Sequence, residues 1–74
     1  EVTVYPNPAR EKVIVTVNNN PIEKVQLFNV LGQKIVDVEV NNLSKISLNV
    51  SQYNEGIYFL RINNDFTQKI VIKR

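Results

Sequence analysis

The sequence predicts an all-β domain, a seven-stranded antiparallel sandwich of two sheets. Twelve Val, eight Ile and three Thr make β-branched residues its dominant type, against five Leu and one Ala. Branched side chains lose rotamer freedom in a helix and pack well on a pleated surface. Turn residues recur at the ~8–12-residue spacing of a sandwich or small barrel, and no long segment carries a clear 3.6-residue period.

The elements follow in order. Val2 to Tyr5 reads as a short first strand. Tyr5-Pro6-Asn7-Pro8-Ala9 follows, an extended elbow, because each proline fixes its own φ and biases the residue before it toward β geometry. Prolines donate no backbone hydrogen bond, so the elbow suits a sheet edge or a crossover between sheets. In Lys12 to Val17, Val13, Val15 and Val17 face one way, with Ile14 and Thr16 opposite. After Asn18-Asn19-Asn20-Pro21, Lys24 to Phe28 forms the third strand, with Val25 and Leu27 on one face and Phe28 on the other. Asn29 to Gln33 is a hairpin connection in which Gly32 supplies a positive φ. Lys34 to Val40 alternates cleanly, with Val36, Val38 and Val40 inward and Asp37 and Glu39 toward water.

Asn41-Asn42 is read as the next turn, and Ser44 to Asn49 as a strand that places Ile46 and Leu48 together. A loop from Val50 to Glu55 leads to Gly56. Gly56 to Ile62 contains the longest apolar run and is expected to be a central strand covered on both faces. Asn63-Asn64-Asp65 is a turn, and Phe66 to Lys73 closes the domain with Ile70 and Ile72 on one face and Lys69, Val71 and Lys73 on the other. Gly56-Ile57-Tyr58 at the head of the sixth strand has the shape of a tyrosine corner, a feature of immunoglobulin-like sandwiches in which a Tyr hydroxyl returns to an upstream backbone group. The architecture is therefore read as immunoglobulin-like.

Composition bounds the function. The chain has 74 residues and forms one small domain, with a net charge of only +2. That charge gives no case for nucleic acid. With no His and no Cys, there is no Ser-His-Asp triad, no thiolate nucleophile and no redox pair. No apolar run approaches the ~20 residues of a membrane helix, so no direct membrane insertion is expected. The chain opens at Glu1 rather than Met, and is expected to be one piece of a longer polypeptide.

Few residues offer chemistry. Asp37 and Glu39 would stand ~6.5–7 Å apart on one strand face, near glycosidase spacing, but they read as a solvated strand face. Asn63, Asn64 and Asp65 could turn oxygens toward calcium, yet one carboxylate is short of what calcium requires, and a plain turn is the better reading. Asn42 and Asn49 begin N-x-S/T triplets, of which about one is expected by chance at this composition. No cofactor, metal or catalytic residue is expected, and no enzyme activity. The terminal Lys69-Ile70-Val71-Ile72-Lys73-Arg74 combines an apolar stripe with three cations, read on physics as a protected sheet edge.

The order of these pieces carries a resemblance. Val4-Tyr5-Pro6-Asn7-Pro8-Ala9, Lys24 through Leu31-Gly32-Gln33-Lys34, Gly56-Ile57-Tyr58 through Ile62, and the basic, apolar end Gln68 to Arg74 together resemble the type A C-terminal sorting domain of the type IX (Por) secretion system of Bacteroidota. The resemblance covers essentially the whole chain. It implies a non-catalytic immunoglobulin-like domain at the end of a large secreted cargo. Such a domain folds in the periplasm and directs the cargo across the outer membrane to the cell surface or the medium. The implied partners are the type IX translocon, an outer-membrane shuttle protein, a surface sortase that removes the domain, and the cargo fused at its N-terminal side. The residues it points to are Pro6, Asn7 and Pro8, Gly32, Gly56 and Tyr58, and Lys69, Ile70, Val71, Ile72, Lys73 and Arg74. The terminal strand then becomes a recognition element, whose edge would pair with a partner's strand or whose cations would meet an acidic groove. One departure is Tyr53, where the family usually has Leu. The alternative reading is an immunoglobulin-like adhesion or glycan-binding module.

Overall fold

A computed structural model describes all 74 residues. Seven strands form: β1 (Val2–Tyr5), β2 (Lys12–Val17), β3 (Ile22–Asn29), β4 (Lys34–Leu43), β5 (Lys45–Asn49), β6 (Gly56–Ile62) and β7 (Phe66–Ile72). They make a three-stranded sheet ordered β1-β2-β5 and a four-stranded sheet ordered β4-β3-β6-β7, every pairing within them antiparallel. This is the immunoglobulin-like strand order A-B-E packed on C′-C-F-G.

The core lies between the sheets, as the period-2 pattern requires. Val13 and Val15 of β2, Val25 and Leu27 of β3, Leu60 and Ile62 of β6, and Ile70 and Ile72 of β7 are buried there. Ile46 and Leu48 of β5 close it from the side as half-buried partners.

Four expectations need correction. β3 begins at Ile22, which is fully buried, not at Lys24. β4 runs through Asn41 and Asn42 to Leu43, so the chain changes sheets at Ser44. A register irregularity between Ile22 and Lys24 absorbs the extra residues, and Asn42 takes the positive φ there. Third, Val38 faces the core side opposite Val25 yet stays 40% exposed, because β4 is the rim strand and little overhangs it. Fourth, β6 is central but covered on one face only. Tyr58, Leu60 and Ile62 are buried, whereas Ile57 and Phe59 face solvent, because the sandwich has two layers and nothing lies outside the second.

Registers set the polarity of the domain. At one end of the sandwich lie Tyr5 opposite Ile14, Lys12 opposite Asn49, and Gly56 opposite Ile72, with the β3–β4 hairpin turn beside them. At the other end lie Val2 opposite Val17, Lys45 opposite Thr16, and the β6–β7 turn. Glu1 and Asn63 are neighbours at this second end.

Candidate functional site

The residues singled out from sequence come together at the first end. Each is positioned by a bonded network.

The elbow before β2 crosses to the opposite sheet and lies along the outer edge of β7. Both of its X-Pro bonds, Tyr5-Pro6 and Asn7-Pro8, are cis. Asn7 stands in for a strand residue: its Oδ1 accepts from Val71 N at 2.9 Å and its Nδ2 donates to Lys69 O at 3.2 Å. Ala9, fully buried, continues the pairing, donating to Val71 O at 2.7 Å and accepting from Lys73 N at 2.8 Å. The edge expected to accept a partner's strand is thus already occupied from Lys69 to Lys73. Strand addition there would require the elbow to lift off.

The terminal strand divides by face as alternation demands. Ile70 and Ile72 are core, Val71 is half-buried on the outer face, and Lys69 and Lys73 are exposed. Arg74 does something the sequence did not signal. Its Nη2 donates to Val50 O at 3.0 Å, to Ser51 O at 2.8 Å and to Tyr53 O, and its Nη1 donates to Arg10 O. The planar guanidinium, with its fixed fork of donors, suits a cluster of carbonyls that no lysine would satisfy. It ties the β5–β6 loop and the β1–β2 connection to the end of β7.

The tyrosine corner is formed. Tyr58 Oη donates to Asn54 O at 2.8 Å, and Gly56 takes a φ of 154° that L side chains rarely adopt. A Cβ on Gly56 would meet only ordinary contact, so backbone conformation and not space calls for glycine. Tyr53 packs half-buried against the core with its ring 6.3 Å from that of Tyr58. Tyr58→Phe removes only the hydroxyl and leaves Asn54 O without its partner. It should cost ~1–2 kcal/mol, read as a lower urea midpoint at unchanged slope.

The hairpin turn is held by one side chain. Asn29 Oδ1 accepts from Leu31 N and Gln33 N, both at 3.0 Å, and its Nδ2 donates to Gln33 Oε1 at 2.7 Å. Gly32 supplies φ 83°, as read from the sequence. The loop leaves Val30 and Leu31 63% and 80% exposed.

The candidates for chemistry resolve into structure. Asp37 Oδ2 lies 2.8 Å from Lys34 Nζ. That hydrogen bond, with the charges of Lys34 and Lys24, holds the Asp37 carboxyl below its ordinary value. Asn63 Oδ1 accepts from Glu23 N at 2.8 Å and Lys24 N at 3.0 Å, and its Nδ2 donates to Pro21 O at 2.9 Å. The oxygen considered above for a cation thus holds the start of β3, and the amide nitrogen holds the end of the β2–β3 loop. Asn49 Oδ1 accepts from Ser51 N and Oγ in a local turn. The widest cleft is polar and lies at the second end, among Asn20, Glu23, Glu39, Asn42, Asn63 and Asn64, away from the elbow, the hairpin and the terminal strand.

Comparison with known families decides the membership. Residues 3–73 match the secretion system C-terminal sorting domain. The chain belongs to that family, the sorting domain of type IX secretion. Among its relatives, it is 29% identical over 96% of its length to ulvan lyase NLR42 of Nonlabens ulvanivorans. It is 27% identical over 99% of its length to an endo-acting ulvan lyase of Formosa agariphila. It is 37% identical over 92% of its length to beta-agarase A of Zobellia galactanivorans. The sorting domain spans only 13–15% of the length of these relatives, whose enzyme names describe the much larger proteins. As a sorting domain, the chain acts as a secretion signal for the protein that carries it.

Proposed function

We propose that this domain is a non-catalytic export signal that works as a folded body. It accompanies a cargo fused on its N-terminal side through the periplasm. The type IX translocon then passes it across the outer membrane, a shuttle protein receives it, and a surface sortase removes it. The cargo is left on the cell surface or in the medium.

The observation that carries this reading is convergence. The elbow, hairpin, tyrosine corner and terminal strand are distant in sequence, yet they meet at one end of the sandwich. Glu1 lies at the other end. A cargo joined there would leave the motif-bearing end open to the machinery. Because the β7 edge is covered, contact falls to exposed side chains of the motif, chiefly Lys69 and Lys73.

The test fuses the domain behind a fluorescent reporter with a Sec signal peptide, in a strain with an active type IX system and in its translocon-null sibling. Reporter outside the active strain alone supports the reading. Equal retention in both strains contradicts it. Lys69→Glu with Lys73→Glu should reduce export roughly tenfold, as reversing charges at an interface does, with little change in the thermal midpoint because both residues are exposed.

A further inference from the structure

We propose that the outer face of the four-stranded sheet, at the motif-bearing end, is a docking surface for a protein partner that presents an apolar groove bordered by carboxylates. This rests on the export reading above and names the surface that would be read.

The surface begins at the hairpin turn. Leu31 at 80% exposure and Val30 at 63% stand in solvent on a loop held by five hydrogen bonds of Asn29 with its own neighbours, three through the side chain and two through the backbone. A mobile loop would fold such side chains back or sample many positions. This one holds them out, so a partner loses little entropy in ordering them. Behind the turn, Phe28 and Phe59 are paired across β3 and β6, with Lys69 next in the same cross-strand row. Phe59 is 37% exposed, and Phe28, Val30, Phe59 and Arg61 line one shallow groove. Knob and groove are therefore continuous, and their apolar area has no cover within the fold.

Charge decides the occupant. The Arg61 guanidinium carbon lies 5.3 Å over the Phe28 ring, so its charge sits on the apolar patch itself. The single salt bridge of the domain joins Lys34 to Asp37 on the rim strand, which leaves Arg61 and Lys69 without a carboxylate. A second copy of the same face would bring like charges together in a two-fold interface, which is unfavourable. An acidic border on the partner answers both cations, and an apolar groove receives Leu31.

The experiment places a photo-crosslinking amino acid at position 31 of the reporter fusion, and at position 47 on the outer face of the other sheet as control, in cells with an active type IX system. The expected result is an adduct with one protein at position 31 and none at 47. Arg61→Glu with Lys69→Glu should abolish it. Binding of the purified partner should fall at least about tenfold with that pair, and likewise with Leu31→Asp, as for truncated hot spots. Leu31→Asp should leave the unfolding midpoint unchanged, since the side chain is mostly in water. No adduct at 31, equal adducts at 31 and 47, an adduct with lipid or a second copy, or binding indifferent to charge reversal would each overturn the proposal. Wild-type fusion that is not exported fails the export reading itself. Wild type and Leu31→Asp exported equally fails only the docking surface.

Discussion

A chain truncated after Gln68 should not fold. Removing Lys69 to Arg74 takes Ile70 and Ile72 out of the core, where they are 0% and 1% exposed. Each such loss costs ~2–5 kcal/mol by analogy with Ile→Ala. The cut also removes both backbone partners of Ala9, the backbone groups that Asn7 pairs with, and the Arg74 guanidinium that four carbonyls receive. A domain of this size has ~4–11 kcal/mol of stability in total. The truncated chain should therefore show no cooperative thermal transition by circular dichroism and a collapsed amide spectrum by NMR. A cooperative transition within a few degrees of the full domain would contradict this. Terminal deletion is thus an unsuitable test of recognition, because its export defect would report on folding. Charge reversal at Lys69 and Lys73 separates the two.

The second large effect is expected at Asn63. It sits in left-handed backbone at φ 55° and spends its side chain on three backbone groups of the β2–β3 segment. Asn63→Ala loses all three bonds and leaves alanine in a left-handed conformation that asparagine tolerates better. At ~1 kcal/mol for each of three bonds, with up to ~1 kcal/mol more for the backbone, the total is ~3–4 kcal/mol. Asn63→Gly should recover the backbone part, and Asn63→Asp the two accepted bonds. The check is urea unfolding of all three. If Ala and Gly match the parent, Asn63 is only a turn residue, and the staple is energetically idle.

Local signals were legible in the sequence. The bounds of β1 and β2, the inward valines of β2, the two-faced β7 and the positive φ of Gly32 all follow from period-2 patterning and turn chemistry within a few residues. Tyr58 was legible because its partner Asn54 is four residues upstream. What escaped depends on distant partners. Asn7 pairs with residues 62 and 64 positions away, Asn63 with residues about forty away, and Arg74 with Arg10 across 64. From sequence alone Asn7 reads as part of the proline elbow, Asn63 as a turn residue and Arg74 as a terminal cation, and none of these readings names the distant partner.

The open outer face of β6 escaped for a different reason. Ile57-Tyr58-Phe59-Leu60 is continuously apolar, the usual sign of a strand buried on both sides. Only the two-layer strand order shows that half of that run faces water. The sequence is more apolar there than the fold requires, which is where an interaction surface would be expected.

The most direct test of the central claim is the location and intact mass of the reporter fused to this domain. The account predicts reporter outside cells with an active type IX system, shortened by about the 8.5 kDa of the domain, and periplasmic, full-length reporter in the translocon-null sibling. Full-length reporter held in the periplasm of both strains would contradict it.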